Sequence, residues 1–187
     1  MEENGVKLIE CPRDAMQGIV PFIPTDLKVE YLTTLLRVGF DTIDIGSFVS
    51  PKAIPQLADT AEVLARIDRS GSRSKLLVIV ANERGAEQAV QHDNVTYLGY
   101  PFSISETFQQ RNTNTSIEGS WHRIARIAEI AQAAGKELVV YISMAFGNPY
   151  GDPWNAEVAL HWTNRLVKEL GVRIIALSDT VGVAKPE

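Results

Sequence analysis

Apolar and polar residues alternate along the chain with two different periods. Six runs are almost continuously apolar, which is typical of parallel strands that are covered on both faces. The segments between most of these runs repeat apolar residues every three or four positions, as amphipathic helices do. The predicted strands are residues 6–10, 42–48, 75–80, 95–102, 137–146 and 173–179.

Three of the intervening helices have clear start and stop signals. Each begins at a residue type that caps helices, and each ends near a glycine, the residue that most often terminates a helix. Weaker helical patterns cover residues 60–67 and 84–91. The three well-signalled helices run from just after Thr25 to Gly39, from Ser116 to Gly135, and from Asp152, which precedes Pro153, to Gly171.

The alternation of strands and helices predicts an α/β protein with a parallel sheet and right-handed crossovers. This pattern leaves two architectures, an open doubly wound sheet and a closed (β/α)8 TIM barrel. The stretch ECPRDAMQG, residues 10–18, ends the first strand but lacks the GxGxxG order of dinucleotide-binding open sheets. We therefore expect a TIM barrel, and an incomplete one, because the pattern supplies about six of its eight βα units.

Composition narrows the class of protein. Residues 1–187 are predicted to form a single domain, because 45% of them are hydrophobic and no low-complexity linker interrupts them. The net charge is −5 without a basic cluster, which argues against nucleic acid and anionic membranes as partners. No apolar stretch approaches the roughly 18 residues that span a membrane. A single cysteine, Cys11, is typical of a reducing compartment, so we expect a cytoplasmic protein with Cys11 buried beside the first strand.

Polar and charged residues gather where the predicted strands end. In a TIM barrel the loops that follow the strands meet on one face, and active sites are built there. The pattern therefore predicts one site assembled from several distant segments. The residues in question are Arg13, Asp14, Ser47, Asn82, Ser105, Glu106, Asn148, Asp179 and Thr180.

Four segments resemble the 3-hydroxy-3-methylglutaryl-coenzyme A (HMG-CoA) lyase family. They are PRDAMQ at 12–17, SFVSPKAIPQLADTAEVL at 47–64, SETFQQRNTNTSIE at 105–118 and SDTVGV at 178–183. The most specific string is SFVSPKAIPQLAD, which neither core packing nor helix propensity requires. The resemblance spans nearly the whole chain and implies the N-terminal and central part of a pyruvate carboxyltransferase/HMGL-like TIM barrel.

This resemblance implies a reaction and its cofactor. The expected activity is metal-assisted cleavage of a carbon–carbon bond in a 3-hydroxyacyl-CoA thioester, which gives acetyl-CoA and a keto acid such as acetoacetate. The expected metal is Mg²⁺ or Mn²⁺. Two alternatives stay open: a related metal-dependent aldolase or Claisen-type synthase, and a non-catalytic fragment that forms a homo-oligomer by pairing its exposed sheet edges.

The resemblance also assigns roles to the opening motif. Arg13 corresponds to the arginine that stabilises the developing enolate, and Asp14 to a metal ligand, since carboxylate oxygen suits Mg²⁺ and Mn²⁺. From the residues alone, such an Arg–Asp pair is more often a structural ion pair. Asp44 stands where the family usually has a glutamate, and we assign it a supporting position behind the metal site, because a side chain one methylene group shorter could fall short of Arg13 or of a metal-bound water.

Further assignments concern the substrate. Asp179 is expected to orient the metal site or to relay a proton, although an aspartate after a strand is also an ordinary helix cap. Arg111 and Lys52 are placed to meet the phosphates of coenzyme A. The residues expected to bind the substrate are Gln17, Ser47, Asn148 and Thr180.

The chain also departs from the family. The family's His-x-His metal pair belongs to a seventh strand, so the remaining metal ligands are expected beyond residue 187. His92, His122 and His161 are isolated in the sequence and are not spaced as metal ligands. Asn148 replaces a cysteine of the family, which excludes thiol chemistry in that loop. We therefore expect the 187-residue chain alone to be inactive.

Overall fold

The computed structural model describes residues 5–186 and contains a six-stranded parallel sheet. The strands lie side by side in chain order, each hydrogen-bonded to the next, as in successive βα units of a barrel. The sheet curls into an incomplete TIM barrel, which confirms the predicted fold class. The strands are β1 (Ile9–Glu10), β2 (Thr42–Ser47), β3 (Lys75–Ile79), β4 (Tyr97–Ser103), β5 (Glu137–Ser143) and β6 (Ile174–Leu177).

Helices cover the outer face of the sheet. Their apolar sides and the outward-facing side chains of the strands form the main core, which includes Leu36, Tyr100 and Ile124. None of the helices that the structure describes is long and apolar enough to cross a membrane. The helices are α1 (Pro12–Gln17), α2 (Thr25–Leu36), α3 (Thr60–Arg66), α4 (Glu83–Ala89), α5 (Glu106–Thr113), α6 (Ile117–Ala133) and α7 (Ala156–Leu170), and a short 3₁₀ helix spans Pro55–Leu57.

Several predicted boundaries need correction. The first strand is only two residues long; Val6 and Leu8 precede it and are 93% and 65% exposed, although the carbonyl of Leu8 still accepts from the amide of Asp41 at 3.0 Å. The last long helix begins at Ala156 with Asn155 as its cap, and the prediction that Asp152 caps it was wrong. The carboxylate of Asp152 instead accepts hydrogen bonds from the backbone N–H and hydroxyl of Thr107, at 2.9 Å each, at the start of α5.

Two helices were not predicted. Residues 12–17 form α1, where Pro12 occupies the first turn and buried Met16 holds the helix against the core. Residues 106–113 form α5, which is polar along most of its length and is capped by the hydroxyl of Ser105. Short polar helices escape a search for apolar periodicity because their order comes from capping and from tertiary contacts.

The concave face of the sheet has a smaller apolar cluster of its own. It is built on Leu77, Ile79, Tyr97 and Val139, which point into the barrel. Gly99 lies among them, and a Cβ atom at this position would approach Ile79 Cδ1 to 2.7 Å. The interior is therefore filled by side chains at its middle, and a cavity remains at the carboxyl ends of the strands.

Candidate active site

A cavity of about 510 Å³ opens at the carboxyl ends of the strands, above the inner apolar cluster. Polar residues from the first, second and sixth strand ends meet in it, although they are separated by up to 167 positions in the sequence. The barrel rule therefore predicted the location of the cavity correctly. The predicted site residues that line it are Arg13, Asp14, Gln17, Asp44, Ser47, Asp179 and Thr180.

Helix α1 presents the opening motif to the cavity. Arg13 and Gln17 are four residues apart and so lie on one helix face. Arg13 Nη1 donates to Gln17 Oε1 at 3.0 Å and to Asp14 Oδ1 at 2.8 Å. The sequence PRDAMQ thus places one acidic and one amide side chain around the guanidinium of Arg13.

Asp44 holds the same guanidinium from inside the barrel. Arg13 Nε lies 3.1 and 3.2 Å from the two carboxylate oxygens of Asp44, and Nη2 lies 2.7 Å from Oδ2. The side chain of Asp44 is fully buried, and that of Arg13 is 13% exposed. The shorter acidic side chain therefore does reach Arg13.

Burial and pairing act on the pKa of Asp44 in opposite directions. Removal from water raises the pKa of Asp44, while the hydrogen bonds and positive charge of Arg13 favour its ionised form and oppose that rise. Burial also lowers the pKa of Arg13, but the carboxylates of Asp44 and Asp14 outweigh this and leave the pKa raised. The guanidinium consequently stays charged.

The guanidinium keeps a donor for a ligand. A guanidinium has five N–H bonds. Asp44 occupies Nε–H and one bond of Nη2, while Asp14 and Gln17 occupy both bonds of Nη1. Among the described residues, the second N–H of Nη2 has no partner, so Arg13 is fixed in position and can still donate into the cavity.

A β-bulge in β2 brings Asp44 and Ser47 to the same face. Side chains three residues apart on a regular strand point in opposite directions. Here Asp44 pairs with Leu77 and Ser47 pairs with Ile79, and the extra residue lies between Asp44 and Gly46. Ser47 Oγ accepts from the amide of Val49 at 3.1 Å, so this hydroxyl also shapes the loop that follows.

The sixth strand end contributes a turn. The carboxylate of Asp179 accepts from the amides of Val183 and Ala184, both at 2.9 Å. These backbone hydrogen bonds lower the pKa of Asp179, which suits a group that orients a loop better than one that relays a proton. Thr180 Oγ1 accepts from the amide of Met144 at 2.8 Å and so ties this turn to the end of β5.

The family model described as HMGL-like matches residues 6–187. The chain belongs to the HMGL-like family.

Relatives of known activity agree with this assignment to the HMGL-like family. The mitochondrial hydroxymethylglutaryl-CoA lyase of Mus musculus is 36% identical over 185 residues, which are 97% of this chain and 55% of the mouse protein. A 3-hydroxy-3-isohexenylglutaryl-CoA/hydroxymethylglutaryl-CoA lyase of Pseudomonas aeruginosa is 36% identical over 95% of this chain and 59% of its own length. The chain thus spans little more than half of these relatives.

Solved structures of HMG-CoA lyases have the same fold. The enzyme from Bacillus subtilis superimposes with a TM-score of 0.90 at 34% identity, over 97% of this chain and 60% of that one. An HMG-CoA lyase from Acinetobacter baumannii, solved with coenzyme A and 3-methylmalate, gives a TM-score of 0.89 at 30% identity, over 96% and 58% of the two chains. The six-stranded sheet therefore corresponds to part of an HMG-CoA lyase barrel.

Asn148 lies apart from the cavity of this HMGL-like chain. Its side chain accepts from the amides of Tyr150 and Asp152 and donates to the carbonyl of Asp152, all within 3.1 Å. It therefore holds the loop between β5 and α7, and substrate binding by Asn148 stays a prediction.

Cys11 was expected to be buried, which was wrong: it is exposed and lines the cavity, because β1 ends one residue before it.

Sequence reasoning missed other residues that line the cavity. Tyr141 lies near the carboxyl end of β5, and both burial and the nearby charge of Asp44 raise the pKa of its hydroxyl. The alternation of Val139, Tyr141 and Ser143 along β5 was a signal that could have identified it. Phe108, Asn112 and Thr113 were missed because α5 was not predicted.

The described residues do not by themselves form a metal site. No group of three or more His, Cys, Asp or Glu side chains within residues 5–186 could hold an ion. Asp14, whose side chain is 64% exposed, is the predicted ligand that faces the cavity. The three histidines are separate, and His122 lies 3.5 Å from Glu118 on its own helix.

The two basic residues assigned to coenzyme A lie at the surface and do not line the cavity. The guanidinium of Arg111 packs 4.8 Å from the ring centre of Tyr150, which in turn stacks on Phe108. Lys52 is exposed in the loop after β2. Arg111 is therefore beside the cavity wall, while Lys52 has no fixed partner among the described side chains.

Proposed function

We propose that this chain is the N-terminal and central part of an HMG-CoA lyase, which cleaves a 3-hydroxyacyl-CoA to acetyl-CoA and a keto acid such as acetoacetate. The observation that carries the proposal is Arg13, which Asp44, Asp14 and Gln17 fix at the cavity with one N–H bond free. The lyase names of the relatives and the coenzyme A bound by the Acinetobacter baumannii enzyme support an acyl-CoA substrate.

The proposed reaction explains why a fixed guanidinium is useful. A base removes the proton of the 3-hydroxyl group, and that carbon becomes the ketone of the keto acid as the C2–C3 bond breaks. The electron pair of the bond passes to the thioester carbonyl as an enolate, and a proton returned to its α-carbon gives acetyl-CoA. The free N–H of Arg13 donates to that enolate oxygen, where negative charge develops. Because Asp44 holds the guanidinium in place beforehand, little reorganisation accompanies the step.

The other cavity residues have supporting roles in this proposal. Gln17, Ser47 and Thr180 supply hydrogen bonds to the substrate, and Asp179 orients the turn that carries Thr180. Asp14 is a candidate ligand for Mg²⁺ or Mn²⁺, which would neutralise charge on the substrate oxygens. One carboxylate does not make a metal site, so no step above depends on it. We also propose a cytoplasmic location, which rests on the single cysteine.

A chimera tests the proposal. Residues 1–187 are joined to the segment of the Bacillus subtilis lyase that follows the matched region. We expect this protein to release acetyl-CoA and acetoacetate from HMG-CoA in a coupled assay, because the appended segment completes the barrel. Absence of release from a folded chimera would contradict the proposed lyase function. Turnover of another oxo-acid or acyl-CoA pair would favour the related aldolases or synthases.

The chain on its own is expected to self-associate and to show no lyase turnover. Both sheet edges expose apolar residues, with Leu8 at 65% near β1 and Leu177 at 54% on β6, and unpaired edges attract other chains. Light scattering across a range of protein concentrations measures the association, and the chimera, whose β6 edge is covered, is the control. A monodisperse monomer that releases acetyl-CoA would refute both expectations.

A further inference from the structure

Two loops lie beside the cavity, and the first of them has few apolar anchors. The first follows α1 and covers residues 18–24, and the second follows β2 and leads into the 3₁₀ helix. In the first loop Val20 is 90% exposed, while Ile19 and Phe22 are 47% and 48% exposed. Hydrophobic burial therefore does little to order this loop, even though Gln17 at its start lines the cavity.

A buried amide joins the two loops. Gln56 is 4% exposed and lies in the 3₁₀ helix at the end of the second loop. Its Nε2 donates to the carbonyls of Ile19 at 2.7 Å and Pro21 at 3.3 Å, and its Oε1 accepts from the amide of Ile23 at 2.8 Å. One amide thus satisfies three backbone groups of the first loop, as a neighbouring strand would.

A buried ammonium group completes the connection. Lys28, the fourth residue of α2, is 2% exposed, and its Nζ lies 2.8 Å from Asp59 Oδ1 and also donates to the carbonyl of Gln56. The ring of Phe22 packs over the ammonium with its centre 3.9 Å away. The second carboxylate oxygen of Asp59 accepts from Thr25 Oγ1 at 2.8 Å.

Buried ion pairs contribute little net stability to a fold. Desolvation of an ion pair offsets most of its attraction, and apolar residues of similar volume often stabilise a protein equally well. Directional polar contacts instead define one arrangement of the groups they join. We propose that Lys28, Gln56 and Asp59 form a polar clamp that positions the two loops bordering the cavity and thereby holds Arg13 and Gln17 in place.

The three clamp residues are positioning residues, since none of them lines the cavity. Their effect reaches the site through the chain, because the carbonyl of Ile19, held by Gln56, lies two residues after Gln17. Thr60, next to Asp59, accepts from the amide of Ser47 at 3.1 Å and ties the other loop to the end of β2. The inference rests on the proposed function only in taking Arg13 as the group that needs positioning.

Hydrogen exchange in the 187-residue chain tests the clamp without turnover. The variants are Lys28→Met/Asp59→Asn, which removes both charges together, and Gln56→Met, which keeps the side-chain volume. In both we expect the amide of Ile23 and the Nε–H of Arg13 to exchange at least about tenfold faster, because local opening becomes easier. The amides of Leu98 and Val140, in the paired strands β4 and β5, are expected to keep their rates.

Arg66→Met is the matched control. Arg66 pairs with Asp26 and so also joins α2 to α3, but it does so at the protein surface, where ion pairs contribute little. We expect no change in either exchange rate. If the exchange rates rose equally at all four positions, the clamp would only stabilise the fold as a whole, and the proposal would be wrong. If the amide of Ile23 exchanged faster while the Nε–H of Arg13 kept its rate, the clamp would have no role at the cavity. An inactive chimera with the expected exchange pattern would reject the proposed lyase function alone.

Discussion

Replacing Arg13 by lysine in the chimera is expected to lower kcat for HMG-CoA cleavage by roughly a hundredfold or more, with a smaller change in KM. Removal of one preorganised donor to a developing oxyanion typically costs about this much. Lysine keeps the positive charge, but its single ammonium cannot reproduce the contacts that Arg13 makes through Nε, Nη1 and Nη2 with Asp44, Asp14 and Gln17. Steady-state kinetics with a coupled acetyl-CoA assay measures both constants.

Arg126→Lys is the control for this substitution. Arg126 lies on the surface of α6 and pairs with Glu129 of the same helix, so its replacement leaves the cavity intact. We expect unchanged kinetics for this variant. If Arg13→Lys also retained near-normal kcat, the proposed stabilisation of the enolate would belong to a different group.

Asp44→Asn is expected to destabilise the chain by about 3 kcal/mol. The substitution leaves the guanidinium of Arg13, which is only 13% exposed, without its buried counter-charge, and breaking one side of a buried ion pair typically costs this order of free energy. The amide can accept one hydrogen bond from Nε but cannot balance the charge. Urea unfolding, monitored by circular dichroism, measures the change in the free energy of unfolding.

The double variant Arg13→Met/Asp44→Asn shows whether Asp44→Asn destabilises the chain by leaving the charge of Arg13 uncompensated. If the loss comes from an uncompensated charge, removing Arg13 as well should recover a large part of the stability. Additive losses in the double variant would mean that each side chain acts through separate contacts. Asp41→Asn is the surface control, because its carboxylate lies 4.0 Å from Lys75 and is partly exposed.

The fold was largely readable from the sequence because the strands are covered on both faces. Nearly continuous apolar runs predict buried strands, as in residues 75–80 and 137–146. Their alternation with helices then predicts a parallel sheet. The short helices α1 and α5 were not readable, since their order depends on Met16 entering the core and on Asp152 reaching α5 from a loop more than forty residues away. Local patterns contain no information about such distant partners.

The sequence predicted those site residues whose position follows from the barrel topology alone. Arg13, Ser47 and Thr180 stand at strand ends, and the barrel brings strand ends together without any knowledge of side-chain contacts. Asn148 also follows a strand, yet its side chain turns into its own loop, which only tertiary structure reveals. Lys28 was missed for the opposite reason, because lysine in a helix is ordinarily a solvated residue.

Because of the β-bulge in β2, the number of residues in this strand decides which side chains face the cavity. Because the bulge takes up one extra residue between Asp44 and Ser47, deleting Ile45 would leave a regular strand in which the two site residues are two positions apart and still share a face, whereas inserting a residue that the bulge does not absorb would turn the hydroxyl of Ser47 outward. Point substitutions along this segment alter one side chain at a time, whereas a change of length that the bulge does not absorb reverses the facing of every later residue in the strand. Libraries that diversify the substrate range should therefore vary residue type in this strand and reserve changes of length for the loop that begins after Ser47.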